Sequence, residues 1–342
     1  MTGPEGIPPA PRPHTILVTG GAGYVGAVLV PPLLARGHRV KVLDLYLYER
    51  DPLRAVNGHP GLDEIRGDMR DQALLGQALT GCDTVIHLAC ISNDPSFDLD
   101  PALGRSINFD AFEPLVRLAR DAGVNRFIYA SSSSVYGIKS EPEVHEDMPL
   151  EPLTDYSKCK ALCEEVLARY QAPGFTTCTL RPATVCGYSP RQRLDVIVNI
   201  LTNHAVNTGT IKVLGGSQKR PNIHIEDMVS AYVLLLDAPD EHIAGRVYNV
   251  GGENLTVREL AERVRSVVGP ERVTTVVQET NDPRSYHISS ERVARELGFR
   301  PKHTVDDAAR DLVAAFARGD LPNPLSDARY YNVTALKSLG MR

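Results

Sequence analysis

The sequence predicts an α/β protein, a doubly wound parallel sheet with a smaller C-terminal α+β lobe. Two observations carry this. In the first half, short β-branched runs alternate with helical stretches. That is the rhythm of strand–helix–strand units, whose parallel sheet is covered by helices on both faces. After Arg181 the rhythm weakens, and breaks rich in glycine, proline and asparagine separate helices from short strands.

The elements follow in order. TILVT (15–19) reads as a buried strand, followed by a helix to about Arg36. RVKVLDL (39–45) is the second strand, LDEIRGD holds a short third, and DQALLGQAL is a helix. DTVIHLA (83–89) is the fourth strand, and one longer helix over about 103–122 leads to the fifth, RFIYASS (126–132). A helix from near Asp155 to about Tyr170 precedes the sixth strand, TTCTLR (176–181). Beyond it, helices are expected at about 193–207, 226–237, 256–267, 289–297 and 304–317, with strands at IKVL, RVYNV and RVTTVV. Pro31 and Pro32 argue against an unbroken first helix, because a mid-helix proline costs about 3 kcal/mol. A kink and a tertiary path that tolerates proline both remain open.

The expected organisation is a disordered proline- and glycine-rich tail at 1–13 and a nucleotide-binding domain over 14–182, with room for later returns of the chain. A substrate-binding lobe over 183–320 and a C-terminal tail over 321–342 complete it. LPNPLSDARYYNV (321–333) is an unusual aromatic and polar segment, expected to fold back on the protein or on a partner.

Composition narrows the function. The chain has 342 residues, 42% apolar and 23% charged, with net charge −5. Without a basic run, nucleic acid is not expected as a partner. No stretch approaches 18 apolar residues, so no membrane span is expected. The first residues lack the apolar segment of a secretory signal, and a cytoplasmic location is expected. Cys82, Cys90, Cys159, Cys163, Cys178 and Cys186 fit neither zinc spacing nor a redox pair, so they read as reduced thiols and no metal is expected.

The glycine run after the first strand is the strongest local signal. A strand, then Gly20-x-x-Gly23-x-x-Gly26, then a helix is a dinucleotide-binding turn of the Rossmann type. The glycines allow a tight turn and a close backbone approach to a pyrophosphate, which meets the free N–H groups of the helix start. Asp44 ends the second strand, where an acid hydrogen-bonds the adenosine ribose. Leu45 and Tyr46 follow it, so no cation offsets a 2′-phosphate, and the expected cofactor is NAD rather than NADP.

Tyr156 and Lys160 are four residues apart on a predicted helix, so their side chains meet on one face. Alone they are equally an exposed helix pair. A cation about 4 Å from a phenol is worth roughly 4 kcal/mol, enough with a charged nicotinamide to bring a tyrosine from about 10 to near 7. A serine at the end of the fifth strand completes the set by holding a substrate oxygen.

These motifs resemble the extended short-chain dehydrogenases/reductases that act on nucleotide sugars. The resemblance spans about residues 14–318 and rests on VTGGAGYVG, LD at 43–44, GDMRD, HLA, YASSSSVYG, YSKCK, LRPATVCGYSP and KRPNIHIEDM. It implies Ser132, Tyr156 and Lys160 as catalytic residues. For the cofactor it implies Gly20, Gly23, Tyr24, Val25, Gly26, Asp44 and Leu45. Asp68 and Met69 would flank the adenine, Leu88 and Ala89 the cofactor path, and Pro182 the nicotinamide, with Lys160 on the nicotinamide ribose. The family's 4,6-dehydratases resemble Thr-Asp-Glu where this chain has Ser132-Ser133-Ser134, and the cysteine of the 3,5-epimerising reductases is also absent here. Oxidation at the sugar C4 remains. It leads to a 4-epimerase, with a 4-dehydrogenase or 4-ketoreductase as the alternative and a non-catalytic NAD sensor as a remote one.

Family epimerases place asparagine where RPATVCG has Thr184, so Thr184 is the candidate for the sugar diphosphate. ATVCGYSPRQRLD also resembles a branch acting on nucleotide-activated heptoses. Arg193, Arg220 and Arg284 are candidates for the diphosphate, since a guanidinium binds phosphate oxygens bidentately. Asn199 is expected on the same helix as Arg193. His87 reads as structural, and His224 either orders the loop of Arg220 or is an ordinary core or surface residue. The resemblance implies a homodimer built on the helices at 103–122 and 155–170.

Overall fold

The computed structural model describes residues 13–49, 51–141, 143–280, 285 and 287–340. The tail expected at 1–13 lies, apart from Pro13, outside the described residues, as does Arg284.

Thr15–Thr19 (β1) is buried on both faces of a sheet. Ile16 and Val18 pack into the core on one side and Leu17 into the core on the other. This two-sided burial explains its unbroken apolar run. The chain continues through Gly26–Ala35 (α1), Arg39–Asp44 (β2), Leu62–Arg66 (β3), Gln72–Leu79 (α2) and Thr84–His87 (β4). Asp94–Phe97 (α3), Pro101–Arg105 (α4), Phe112–Asp121 (α5), Arg126–Ala130 (β5), Asp155–Tyr170 (α6) and Thr176–Pro182 (β6) follow. The second half holds Thr184–Cys186 (β7), Ile197–Thr208 (α7), Thr210–Leu214 (β8), Lys219–His224 (β9), Ile225–Asp237 (α8) and Asp240–Ile243 (α9). Arg246–Val250 (β10), Glu253–Thr256 (β11), Val257–Val268 (α10), Thr274–Gln278 (β12), Glu291–Leu297 (α11), Val305–Arg318 (α12) and Asn332–Ser338 (α13) complete it.

Seven strands form a parallel sheet in the order β10-β6-β5-β4-β1-β2-β3. The chain leaves β1 towards β3, then crosses back to β4. The carboxyl ends of β1 and β4 therefore face connections that diverge, which opens the crevice where such sheets bind ligands. Helices α1 and α8 cover one face, and α2, α5 and α6 the other. The chain returns to this sheet from the 183–320 stretch with α8 and β10. The lobe proper has a three-stranded sheet, β11-β9-β7, a parallel pair, β8 and β12, and a core shared by α7, α10 and α12.

Two of the expected helices differ from the sequence reading, and the first helix resolves the alternatives left open for it. Helix α1 is continuous with both prolines inside it. Pro31 and Pro32 are half-buried, while Leu29, Val30, Leu33 and Leu34 are sealed in the core, and that burial offsets the lost backbone bonds. The helix expected over 103–122 is interrupted: α4 passes into a π-helical turn at Ser106–Asp110 before α5. The wide turn delivers Asn108 to the loop after β4, where its side chain accepts from the Ile91 N–H (2.8 Å) and donates to the Ile91 carbonyl (2.9 Å). The helix expected at 193–207 starts only at Ile197, so Arg193 lies on the preceding loop and not on the helix of Asn199.

Behind the ends of β5 and β6 lies a buried polar network. Arg181 donates to both carboxylate oxygens of Glu164 (3.0 and 2.6 Å) and to the Tyr136 hydroxyl (2.7 Å). Tyr136 donates to Asn249 on β10 (2.7 Å), and the Ser131 hydroxyl donates to Glu164. His87 is also structural. It shares a 2.7 Å hydrogen bond with Thr19 and stacks on Tyr129, and burial lowers its pKa to about 3. Removing one partner of a buried pair strands the other charge, a loss of about 3–5 kcal/mol. Glu164→Ala is expected to lower the unfolding free energy by roughly that amount in urea titration, through the unpaired Arg181.

Candidate active site

The glycine turn closes by backbone contact. Gly20 has φ +74°, and a Cβ there would sit 2.6 Å from the Ala89 nitrogen. A Cβ on Gly26 would sit 2.5 Å from Gly21. Any side chain at either position would fill the cradle between β1, α1 and the loop after β4. Asp44, at the end of β2, accepts from the N–H groups of Ala22 (3.0 Å) and Tyr46 (2.8 Å). Burial pushes its carboxyl above the ordinary range, and those two N–H groups and the charge of Arg191 oppose the shift.

This turn forms one end of a cavity of about 460 Å³ along the carboxyl ends of the sheet. The predicted cofactor positions Gly20, Gly23, Tyr24, Val25, Gly26, Asp44, Leu45, Asp68, Met69, Leu88, Ala89 and Pro182 all line it. So do Ser132, Tyr156, Lys160, Thr184, Arg193 and Arg220. A glycine cradle without room for side chains, an acid at the end of β2 and a path along Leu88, Ala89 and Pro182 fit a dinucleotide.

Helix α6 presents Tyr156 and Lys160 from its first turns, where Thr154 and Ser157 form a capping box. Lys160 donates to the Ala130 carbonyl at 2.6 Å, and its ammonium lies 5.9 Å from the Tyr156 ring centroid. Tyr156 is driven well above the usual tyrosine value, chiefly by burial, with Cys90 and Asp94 adding to the shift and Arg193 and Ser132 opposing it. The expectation that Lys160 and a charged nicotinamide together bring this phenol near neutrality concerns the cofactor-bound protein; without the cofactor desolvation prevails, and Lys160 is engaged by a backbone carbonyl. Ser132 caps the short turn Ser133–Tyr136, with its hydroxyl 2.9 Å from that of Ser134.

The substrate candidates divide. Thr184 stands on β7, and Arg220 on β9 donates to the Lys219 carbonyl. Arg193 pairs with Asp195 at 2.8 Å, and although burial works against its charge, this carboxylate holds the guanidinium above its ordinary value. Asn199 is corrected: it is fully buried and does not line the cavity. Its amide accepts from the Gly187 N–H (3.0 Å) and donates to the Tyr24 hydroxyl (3.0 Å) and the Arg193 carbonyl (2.8 Å), which makes it a brace for the loop before α7. His224 Nδ1 accepts from the Glu226 N–H at the start of α8, so its Nε2 carries the proton and faces Asp311 (3.1 Å). His224, Glu226 and His303 lie close enough to surround an ion, but that tautomer leaves His224 without a free lone pair.

Sequence reasoning missed several lining residues: Tyr48, Cys90, Ser92, Arg191, Asp195, Tyr232 and, from α13, Asn332. Arg191 stands two positions before Arg193, and Asn332 belongs to the unusual aromatic and polar segment over 321–333. The missing signal was the long-range placement of both.

The sequence profile of the NAD dependent epimerase/dehydratase family matches residues 16–251. A UDP-glucose 4-epimerase of Lactobacillus helveticus is 30% identical over 316 residues, covering 85% of this chain and 94% of its own. A dTDP-glucose 4,6-dehydratase of Streptomyces griseus is 31% identical over 310 residues, covering 87% and 93%. Among solved structures, the dTDP-glucose 4,6-dehydratase DesIV of Streptomyces venezuelae, crystallised with NAD, has a TM-score of 0.81 at 28% identity, covering 91% of this chain and 100% of its own.

A raised phenol pKa means that the neutral form persists as pH rises. In cofactor-free protein, the 295 nm difference spectrum between wild type and Tyr156→Phe is expected to show no tyrosinate below about pH 10.

Proposed function

This chain belongs to the NAD-dependent epimerase/dehydratase family, uses NAD, and, we propose, acts as a nucleotide-sugar 4-epimerase on an NDP-hexose or NDP-heptose. The observation that carries this reading is the end of β5, where Ser132, Ser133 and Ser134 offer hydroxyls and no carboxylic acid. The carboxylates that line the cavity are engaged elsewhere. Asp44 holds the glycine turn, Asp68 pairs with Arg70, Asp94 accepts from Thr154, and Asp195 pairs with Arg193. Elimination of water at C5–C6 needs an acid and a base at that strand end; hydride exchange at C4 does not.

Gly20 to Gly26, Asp44, Asp68, Met69, Leu88, Ala89, Lys160 and Pro182 would hold the cofactor. When bound, NAD takes up and returns the C4 hydride. Tyr156 is the group that exchanges the proton of the C4 hydroxyl, and Ser132 orients that oxygen. Burial keeps the phenol protonated, so its proton leaves only when positive charge is added nearby, and Arg193 already acts in that direction. Thr184, Arg193, Arg220 and Arg284 are the proposed contacts to the sugar diphosphate. The resemblance of the segment around Thr184 to heptose-acting enzymes supports heptoses as one substrate class.

The test incubates purified protein, without added cofactor, with a panel of nucleotide hexoses and heptoses, followed by proton NMR. Inversion at C4 is the expected outcome. A ketone that accumulates only with stoichiometric NAD would make the enzyme a 4-dehydrogenase. Tyr156→Phe is expected to lower turnover by about 10²–10⁴-fold; an unchanged rate would remove it from the mechanism. We also infer a homodimer across α5 and α6, which lie side by side on one face of the sheet. Light scattering is expected to give about twice the chain mass of 37.4 kDa.

A further inference from the structure

Arg191 lines the cavity between the cofactor acid and the proposed chemistry, and it lacks a counter-ion. It is 3% exposed, and among the described residues no carboxylate lies within ion-pair distance of it. Its guanidinium carbon lies 3.8 Å over the ring of Tyr48, four residues beyond Asp44. Nη2 donates to Asn332 Oδ1 (2.6 Å), while Nε and Nη1 have no partner. Burial lowers its pKa to about 10. A buried cation with two unmet donors is costly unless an anion completes its surroundings.

Among the described residues, the only side chain that accepts from Arg191 comes from α13. Asn332 is 1% exposed and binds in three directions. Its Oδ1 accepts from Arg191, its Nδ2 donates to Ser92 (2.9 Å), and its backbone N–H donates to Asp195 (2.9 Å). Leu336, one turn on, packs with Ile91 and Ile107. The C-terminal segment is thus strapped across the loop after β4 and the arginine loop, and it sets where Arg191 stands.

We propose that Arg191, positioned by Asn332, is a lock on the diphosphate of the bound cofactor, so that the C-terminal segment governs how long NAD is retained. The cofactor diphosphate is favoured over that of the sugar nucleotide by neighbourhood. Arg191 acts on Asp44 and stacks on the segment that follows β2, whereas Arg193 acts on Tyr156 at the other end. Gly20 to Gly26 would meet one side of the diphosphate with backbone N–H groups, and the guanidinium supplies the charge that those groups lack. The proposal rests on the reading of this cavity as the NAD site and not on which reaction follows.

Two binding readouts test it: exchange of bound NAD with isotope-labelled NAD on the purified holoenzyme, and calorimetric affinities for ADP-ribose, adenosine and UDP on the full chain freed of NAD. Arg191→Met and Asn332→Asp are expected to speed exchange at least tenfold. Asp keeps the shape of Asn332 but neutralises Arg191. ADP-ribose affinity should fall tenfold or more, adenosine affinity should hold, and Arg191→Lys should recover part of the loss. If Arg191→Met fails to fold, Asn332→Asp and Arg191→Lys carry the test. Wild-type exchange rates in these variants would overturn the lock. So would a loss confined to UDP, which would assign the guanidinium to the substrate. Neither result depends on whether turnover yields an epimer or a ketone.

Discussion

The Tyr24 phenol joins the two halves of the site. It sits in the glycine turn, yet its hydroxyl donates to the Gly187 carbonyl (2.7 Å) and accepts from Asn199, and its own carbonyl accepts from Ser189 (2.7 Å). The turn that would cradle the diphosphate and the loop that carries Arg191 and Arg193 are therefore one rigid piece. Burial pushes this phenol far above the usual range, so it remains a neutral donor at any physiological pH. A dinucleotide turn alone is a flexible glycine segment. Pinned to the second lobe in this way, it holds a fixed distance to Arg191 and Arg193.

Around that joint the cavity concentrates buried and half-buried charge. Asp44 is balanced by backbone N–H groups, Arg193 by Asp195, and Lys160 by a carbonyl dipole. Each of these charges meets its partner within hydrogen-bond distance, so the neutralisation is local and does not depend on the net charge of −5. The network of Glu164, Arg181, Tyr136 and Asn249 performs the same service behind the sheet, where it holds the end of β5 against β6 and β10.

What the sequence made legible was local. The glycine turn, Asp44 and the Tyr156–Lys160 pair are defined by spacing within one turn or one helix face, and spacing is written in the chain. What it left open or misplaced was non-local. The helix of Pro31 and Pro32 persists because the core on its other face outweighs its lost hydrogen bonds. The π turn at Ser106–Asp110 places Asn108 on Ile91, seventeen residues away, which no periodicity announces. Asn199 was placed by its distance from Arg193, but the helix begins between the two, and its amide is consumed by Tyr24 and Gly187. Asn332 reaches the cavity across 240 residues from Ser92, and only the folded chain reveals that neighbour.

The seventh strand of the sheet bears on how the protein is made. β10 pairs with β6, yet it leaves the ribosome only after β7, α7, β8, β9 and α8 have been synthesised. During that interval β6 is an edge with unpaired amides, and Asn249 has not yet reached Tyr136 and Glu146. Such an edge is a template for pairing with another chain. The second lobe is built from stretches on both sides of the final strand of the nucleotide-binding sheet. The two lobes cannot be separated by a single cut, and a chain arrested before Val250 would carry an adhesive sheet edge instead of a finished first domain.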